Sequence, residues 1–600
     1  MMKNPPGQGA DKSIRDAQNQ RKPKDAGHTI LRLLRTMMRD RALFALALVL
    51  TVSGNLLGLL GPRLAGEAID AIGENGAVLW DVVFAKCALM LACYAASAAL
   101  SYALALLMIH ISRGVVYRMR EQAFDRLMRL PVSYYDTHPS GDIISRISYD
   151  IDTVNASLSN DIVQILSTVV TVFGSLGFMI AISPRLLLVF CITVPLSLYA
   201  ARRRATVTKP LFRARSRKLG ELNGFVEEQL SGLTTLRAYS REEAAVEKFD
   251  AINEEAVVAY YNSEYQGSVV GPLVNFINNL SLALVSVFGA LLFCAGQMSI
   301  GAISSFVLYS RRFSGPINEA ANVFGEMQSA LAAAERVFAL IDEPAEPADA
   351  EGAQEIGEVV GHVALRDVTF GYEEGKPILK NFSAEAQPGK MIAVVGPTGA
   401  GKTTLISLLM RFYEAQEGSI AVDGKPLDAI TRDSLRAAYA MVLQDTWLFH
   451  GTVYENLRYG SEHATREQVI AAAKAAHADG FIRRLPQGYD TVLTDDGANI
   501  SKGQKQLLTI ARAMLLESRM VILDEATSNV DTRVEKLIQK AMRELMAGKT
   551  CFVIAHRLST IESADEILVI DHGEIVERGT HTALMQKQGF YYNMYRAQFE

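Results

Sequence analysis

The chain contains 600 residues, of which 49% are hydrophobic and 21% are charged. This length exceeds one ordinary domain, so two or more folding units are expected. The 60 Lys and Arg residues against 65 Asp and Glu residues give a net charge of −5. That balance excludes a general nucleic-acid-binding protein, because no bulk positive field is available to hold phosphates. Five scattered cysteines without a Cys-x-x-Cys pair argue against a disulfide framework or a zinc site.

The first half of the chain has the hydropathy pattern of a membrane domain. Residues 1–28 are polar and lack the apolar core of a signal peptide, which predicts a disordered cytosolic tail. Apolar runs follow, and a helix needs roughly 20 such residues to cross a bilayer. The runs cover 42–62, 84–109, 161–182, 186–200, 269–295 and 299–310. We predict an α-helical six-span transmembrane domain over residues 29–341, in which the fourth and sixth runs are short.

The positions of Lys and Arg predict the orientation of these spans. Arg clusters precede the first run and follow the second and fourth, and the positive-inside rule places them in the cytosol. Both termini are then cytoplasmic. The connections 111–160 and 201–268 are longer than turns and helix-like in composition, so we expect long cytosolic helix extensions that end in short elbows. No organelle-targeting segment is visible, which favours a bacterial inner (plasma) membrane.

The second half of the chain has a different pattern. Residues 342–358 are acidic and rich in Pro, Ala and Gly, as is typical of a linker. From residue 359 to residue 600, short apolar runs alternate with helix-like stretches. This alternation predicts a soluble α/β domain.

A phosphate-binding loop (P-loop) stands between a strand-like run and a helix-like stretch of this domain. It comprises Gly396, Pro397, Thr398, Gly399, Ala400, Gly401, Lys402, Thr403 and Thr404. Glycines let backbone N–H groups converge on phosphate oxygens, while Lys402 supplies positive charge and Thr403 supplies a hydroxyl ligand for Mg²⁺. A chance glycine-rich turn is the alternative, and the surrounding strand, Lys, Thr and helix argue against it.

Two consecutive acids end another strand-like run, residues 520–523. Asp524 suits the Mg²⁺ shell, and Glu525 suits the polarisation or deprotonation of an attacking water. Two solvated carboxylates at the start of a loop are the alternative. The P-loop in the same domain favours the catalytic interpretation.

With these motifs in place, the sequence resembles an ATP-binding cassette (ABC) transporter over nearly its whole length. The resemblance implies ATP and Mg²⁺ as ligands and an α/β P-loop nucleotide-binding domain. It also implies that Tyr372 stacks on adenine, that Gln444 senses Mg²⁺ and contacts the membrane domain, and that His556 is a switch histidine near the γ-phosphate. Ser528 to Asp531 match the family's dimer-contact loop. Each match alone is weak, but together they follow the family's order.

The signature motif departs from the family's Leu-Ser-Gly-Gly-Gln. Ser501, Gly503 and Gln504 remain available to meet a nucleotide, but Lys502 replaces a glycine. The Lys502 side chain either disturbs the approach of helix and phosphate, or adds a favourable charge, or points into solvent. The sequence leaves these three alternatives open.

The resemblance implies that each ATP lies between the P-loop of one cassette and the signature of another, so the chain needs a second ABC half-transporter. The altered signature combined with an intact Glu525 favours a heterodimer, and a homodimer is the alternative. Residues 126–146 and 236–243 resemble the family's cytosolic loops, which dock on the cassettes.

The function expected from the resemblance is ATP-driven export of lipophilic compounds, peptides or lipids across a lipid bilayer. An importer on an exporter-type scaffold is one alternative, distinguished by the direction in which a labelled substrate moves. An ATP-gated channel or regulatory membrane complex is another, distinguished by conductance that requires ATP binding but not hydrolysis. Arg311 and Arg312 either face an inner cavity or mark the cytosolic interface.

Overall fold

The computed structural model of the protein describes residues 25–72, 78–373, 375–444, 446–494, 497, 499–524, 531–554 and 561–599, with residues 316–322, 324, 598 and 599 described by their backbone alone. The chain divides into two compact units. The first, the helical unit, runs to Arg129 and again from Pro139 to Glu343, and the second, the α/β unit, comprises Leu130–His138 and Pro344–Glu600.

Long helices make up the helical unit. In chain order the helices of the first half are α1 (Ala26–Met37), α2 (Arg41–Asp70), α3 (Trp80–Met128), α4 (Val132–Thr137), α5 (Ser140–Ser145), α6 (Ile151–Ile182), α7 (Pro184–Ser231), α8 (Leu233–Ala238), α9 (Glu242–Ser268), α10 (Val270–Cys294) and α11 (Ile300–Asp342). A 3-10 turn occupies Met38–Asp40 and a π-helical turn occupies Arg146–Asp150. Helix α4 belongs to the α/β unit and the others to the helical unit.

Five described helical segments are long and apolar enough to cross a membrane, and they contain the first four predicted runs and all but the last residue of the fifth. These segments are Ala26–Asp70, Trp80–Met128, Ser140–Ile182, Pro184–Ser231 and Glu242–Cys294. The sixth run begins α11, which is not among them, and Arg311 and Arg312 follow that run directly. The sixth span therefore stays a prediction. The helical extensions are confirmed, because α3 and α7 continue far beyond their apolar runs to Met128 and Ser231.

The core of the helical unit contains a fully buried tyrosine. Tyr309 on α11 stacks on Phe178 of α6 at 5.0 Å between ring centroids, and its hydroxyl donates a 2.6 Å hydrogen bond to the carbonyl of Leu59 on α2. The bond satisfies the buried hydroxyl. It joins α2 to α11 inside an apolar cluster.

A close approach between α2 and α11 lies near the first turn of α11. A Cβ atom added to Gly301 would lie 2.0 Å from the Gly66 carbonyl oxygen. The Asp70 carboxylate accepts hydrogen bonds from the Gly301 amide at 2.7 Å and from the Ser299 hydroxyl at 2.6 Å. Glycine at both contact positions lets the two helices touch, and Asp70 supplies an acceptor to the Gly301 amide in the first turn of α11.

The α/β unit contains twelve strands among its described residues. They are β1 (Val363–Phe370), β2 (Leu379–Ala386), β3 (Met391–Val395), β4 (Glu417–Val422), β5 (Lys425–Pro426), β6 (Tyr439–Val442), β7 (Gly451–Thr452), β8 (Val492–Leu493), β9 (Met520–Asp524), β10 (Thr550–Ile554), β11 (Glu566–Asp571) and β12 (Glu574–Gly579). Its further helices are α12 (Lys402–Leu409), α13 (Arg432–Ala437), α14 (Val453–Arg458), α15 (Arg466–Ala475), α16 (Asp479–Ile482), α17 (Lys502–Met514), α18 (Thr532–Met546), α19 (His581–Lys587) and α20 (Phe590–Phe599). Short 3-10 turns occupy Leu427–Ala429 and Gly488–Asp490.

A six-stranded sheet organises this unit, in the order β12-β11-β3-β10-β9-β6. All neighbours pair in parallel except β11 and β12. Alternate residues of the central strands enter separate apolar clusters, for example Val395 in one and Val394 in the other. Burial on both faces explains why these strands read as continuous apolar runs. The predicted α/β fold is confirmed, and the strands β1, β2, β4 and β5 form a second, antiparallel sheet.

The acidic segment predicted to be a linker is fixed to this unit by arginines. The buried Arg432 guanidinium donates to Asp349 at 2.8 Å and to the Pro347 carbonyl at 2.9 Å. Arg436 forms a 2.5 Å ion pair with Glu346. The acidic side chains of the predicted linker thus contact buried and half-buried arginines of the α/β unit.

Candidate functional site

The P-loop joins the carboxyl end of β3 to the start of α12. A Cβ atom added to Gly396 would lie 2.2 Å from the Ile570 carbonyl oxygen, so the loop leaves the sheet against the backbone of β11. Gly401 caps α12 with a φ of 103°, which other residues rarely adopt. Gly399 has a φ of 82° and faces open space. The exposed part of the loop and the free N–H groups of the helix start therefore form a surface suited to an anion.

Lys402 lies over this loop. Its Nζ donates hydrogen bonds of 2.8 Å and 2.9 Å to the carbonyls of Gly396 and Pro397. Burial lowers the pKa of Lys402, and the charge of the Asp524 carboxylate opposes that shift. The hydroxyl of the next residue, Thr403, is on an exposed side chain, whereas Thr404 is buried. The Lys402 ammonium and the Thr403 hydroxyl thus both lie at the loop.

The sheet brings Asp524 and Gln444 to the edge that carries the P-loop. Asp524 is the last residue of β9 and lies opposite Ile554, which in turn lies opposite Val394 of β3. Gln444 is exposed two residues beyond β6, whose Val442 pairs with Leu523. The carboxyl ends of parallel strands are the usual place for ligands in such sheets. Glu525 and His556 lie outside the described residues, so their catalytic roles stay predictions.

Tyr372 projects from an aromatic cluster beside the P-loop helix. Its ring stands edge-on to Phe370 at 5.2 Å and to Tyr413 at 5.0 Å, and 48% of the residue is exposed. Its hydroxyl donates to the Thr404 hydroxyl at 3.3 Å. An exposed ring held from one side is able to stack on a planar base with the other.

Tyr413 was not identified from the sequence. Its hydroxyl donates a 2.6 Å hydrogen bond to Asp136, on helix α4 of the same unit. Burial raises the pKa of Tyr413, and the Asp136 carboxylate raises it further. The only local signal is an aromatic residue shortly after α12, and such residues are usually core. Only the fold brings residues 136 and 413 together.

The signature residues form a helix cap. The Ser501 hydroxyl accepts from the Gln504 amide at 3.3 Å, while the Gln504 side chain accepts from the Ser501 amide at 2.9 Å. This reciprocal capping box fixes the N-terminus of α17. Gly503 is buried, and Lys502 is exposed at the first position of the helix.

The signature helix lies on another part of the sheet from the P-loop. Helix α17 packs on α14, α15, α18 and β6. Strand β6 is three strands from β3, a separation of roughly 14 Å at ordinary strand spacing. Among the described residues no hydrogen bond joins residues 501–504 to residues 396–404.

Arg512 is a second residue that sequence reasoning missed. Its guanidinium donates to the Asn456 carbonyl at 2.9 Å and to the Trp447 carbonyl at 3.2 Å, and burial lowers its pKa. It also lies 5.2 Å from the ring centroid of Tyr459. Arg512 thereby ties the signature helix to the segment that follows Gln444.

Two family descriptions match the chain, one for each half. Residues 44–317 match the ABC transporter transmembrane region, and residues 379–528 match the ABC transporter family. The ABC transporter ATP-binding protein YfiC of Bacillus subtilis is 41% identical over 586 residues, which cover 97% of this chain and 96% of that protein.

Two further relatives carry names that describe a substrate. The fatty acid ABC transporter ATP-binding/permease protein of Mycobacterium bovis is 40% identical over 613 residues, covering 96% of this chain and 97% of that protein. The ATP-dependent lipid A-core flippase of Hahella chejuensis is 36% identical over 498 residues, covering 82% of this chain and 84% of that protein. Among solved structures, a bacterial Atm1-family ABC exporter with ATP bound matches with a TM-score of 0.76 and 28% identity, covering 93% of this chain and 98% of that one.

Proposed function

The chain belongs to the ABC transporter family, and from this premise we propose that it exports amphipathic, lipid-like molecules as one half of a dimer. Membership in the family makes it an integral membrane protein that couples ATP hydrolysis to transport. The observation that carries export is the likeness to an exporter over both units of the chain. Relatives named for fatty acid and for lipid A-core support an amphipathic substrate.

The residues at the P-loop fit a magnesium nucleotide. Backbone N–H groups at the start of α12 and the Lys402 ammonium suit phosphate oxygens, and the exposed Tyr372 ring suits adenine. Thr403, Asp524 and Gln444 would hold Mg²⁺, which supplies charge neutralisation at the phosphates. Glu525 would orient or deprotonate the attacking water, and His556 would contact the γ-phosphate.

The position of the signature supports a dimer. The helix that carries Ser501 and Gln504 packs beside β6, whereas the P-loop follows β3. A second cassette would supply the signature that completes each site. We propose a heterodimer, because Lys502 alters the signature while Asp524 and Glu525 keep the acid pair intact. Exposure of Lys502 is compatible with contact to a partner's nucleotide.

We further propose that both termini and the α/β unit are cytoplasmic and that the chain resides in the bacterial plasma membrane. The Arg clusters before the first apolar run and after the second and fourth support this orientation. In the proposed cycle, ATP closes two cassettes, and the elbow helices α4 and α8 pass the movement to the membrane helices.

Hydrolysis by the purified chain tests the dimer and the catalytic acid together. The chain is reconstituted in lipid, its oligomeric state is recorded, and ATPase activity is compared with that of Glu525→Gln. A heterodimer predicts nucleotide binding with little turnover by the chain alone and full turnover after a partner half-transporter is added. Robust turnover by a dimer of this chain alone, lost in Glu525→Gln, would establish the homodimer instead. Full activity in Glu525→Gln would overturn the role of that acid.

A further inference from the structure

A polar groove lies within the helical unit, between α2, α3, α6 and α11. Its volume is about 540 Å³, which is in the range of sites for small molecules. Apolar residues form part of its wall, together with nine polar residues, which include Ser101, Ser159 and Asn160. Six others complete this polar set. These are Thr51, Asn55, Asp161, Gln164, Ser167 and Glu326.

Asp161 is the least satisfied polar residue of this wall. It is 5% exposed, and its Oδ2 atom has no hydrogen-bond partner among the described residues. A buried carboxylate oxygen without a donor destabilises the fold, because the hydrogen bonds that water would make to it are not replaced. A donor supplied by a ligand in the groove would remove that cost.

The side-chain amide of Asn55, in contrast to Asp161, is hydrogen-bonded through both its nitrogen and its oxygen. It donates to the Thr51 carbonyl at 2.8 Å and to the Ser167 hydroxyl at 3.2 Å, and it accepts from the Thr171 hydroxyl at 3.2 Å. This part of the wall is already bonded to itself and fixes α2 against α6. The unsatisfied acceptor is therefore Asp161 and not Asn55.

The charge of the groove has one sign. Asp161 and Glu326 both carry carboxylates, and no Lys, Arg or His is among the described residues that line it. The sequence of residues 316–324, which includes the lining residue Val323, contains no basic residue. Such surroundings attract a cation and disfavour an anion.

We propose that this groove binds cationic amphiphiles, with an ammonium group donating to the Asp161 carboxylate and an alkyl chain along the apolar part of the wall. The inference rests on the proposed export of amphipathic molecules and specifies the charge of their polar end. A cationic amphiphile differs from the fatty acid that the name of one relative mentions. The carboxylate of a fatty acid would lie beside the two carboxylates of this groove.

Binding of three probes of equal chain length tests the charge preference. The full chain, with its partner if it needs one, is placed in lipid nanodiscs, and equilibrium binding of dodecylammonium, dodecanol and dodecanoate is measured. We expect the ammonium probe to bind about tenfold or more tightly than dodecanoate, with Asp161→Asn removing that preference and Asp161→Glu retaining it. Asp152→Asn is the matched control, because Asp152 lies on the same helix, is exposed and is paired with Arg120.

The outcomes separate this inference from the proposed function. Preference for dodecanoate, or a preference for the ammonium that survives in Asp161→Asn, overturns the role of Asp161 and leaves export of amphiphiles standing. Failure of all three probes to bind or to stimulate ATPase activity overturns both. The melting temperature and basal ATPase activity of each variant identify one that has merely misfolded.

Discussion

The Tyr413 hydroxyl donates a 2.6 Å hydrogen bond to Asp136, and the same ring stands edge-on to Tyr372 at 5.0 Å. Tyr413 thus touches both the ring proposed to stack on adenine and the elbow helix α4. Burial and the nearby carboxylate raise the pKa of Tyr413, so its hydroxyl stays protonated and able to donate at physiological pH. We therefore expect this contact to transmit the occupancy of the proposed nucleotide site to the elbow helix α4.

Removal of the Tyr413 hydroxyl should weaken the coupling of ATP hydrolysis to transport more than it slows hydrolysis itself. Tyr413→Phe keeps the ring beside Tyr372 but loses a hydrogen bond to a charged group, worth about 1–2 kcal/mol. We expect basal ATPase activity within about twofold of wild type and a several-fold loss of transport per ATP hydrolysed. Tyr592→Phe is the control, since the Tyr592 hydroxyl accepts an exposed hydrogen bond from Arg596 on the same helix, α20. Equal losses of hydrolysis and transport in Tyr413→Phe would contradict a coupling role.

The lowered pKa of Lys402 predicts how nucleotide affinity depends on pH. Burial places this pKa below its ordinary 10.5, and bound phosphate would raise it again. Affinity should therefore be constant while Lys402 is charged and fall as the pH rises through the lowered pKa. Titration with a fluorescent ATP analogue between pH 7 and pH 10.5 measures this.

Substitution by arginine identifies the group responsible. Lys402→Arg retains a charge that is not lost in this range, so the alkaline fall in affinity should disappear even if affinity at pH 7 is reduced. Lys425→Arg, at an exposed lysine on the antiparallel sheet, should leave the profile unchanged. An unchanged alkaline fall in Lys402→Arg would assign it to another group.

The glycine contact between α2 and α11 predicts a loss of stability on enlargement. Gly301→Ala places a methyl group 2.0 Å from the Gly66 carbonyl oxygen and 2.6 Å from an Asp70 carboxylate oxygen, so the helices must separate. We expect a cost of about 1–3 kcal/mol and a lower melting temperature in lipid. Gly177→Ala on α6 is the control, because its added methyl group would meet nothing within 4 Å. Equal melting temperatures for the two variants would show that α2 and α11 do not pack this closely.

The hydrogen bonds of Arg432 should hold the acidic segment, residues 344–358, against the α/β unit. Arg432→Met should remove the bonds to Asp349, the Pro347 carbonyl and Glu414, destabilising the α/β unit by about 2 kcal/mol. Cleavage by a limiting amount of protease should increase within residues 344–358. Arg484→Ala removes an exposed arginine with a local backbone bond and serves as the control. Unchanged cleavage in Arg432→Met would mean that other contacts hold the segment.

Much of the fold follows from local sequence. Apolar runs predicted the first five spans, and helix-like composition predicted the extension of α3 and α7, because these features depend on neighbours in the chain. The strand and helix that flank residues 396–401 could be predicted because strand, turn and helix are consecutive in the chain. The Pro- and Gly-containing acidic segment was not anticipated as fixed structure, because its arginine partners lie about 80–90 residues further along the chain.

The contacts around the site depended on tertiary structure. The resemblance predicted that residues 126–146 dock on a cassette, but the pairing of Asp136 with Tyr413, 277 residues away, emerges only from the fold. Asp161 reads in sequence as one polar residue at the start of an apolar run, and its unsatisfied oxygen emerges only when four helices enclose it. Sequence motifs indicated ATP hydrolysis, whereas only the packing of helices and strands showed which residues contact the motif residues.

Translocation in inside-out membrane vesicles tests whether the chain exports amphiphiles by hydrolysing ATP. ATP is added to the solution outside vesicles that contain the wild-type chain, with its partner if required. Accumulation of a labelled amphiphile in the lumen is then compared with that in vesicles that contain Glu525→Gln. Export driven by hydrolysis predicts ATP-dependent accumulation that is lost in Glu525→Gln. Loss of the amphiphile from preloaded vesicles, or accumulation that persists in Glu525→Gln, would contradict the account.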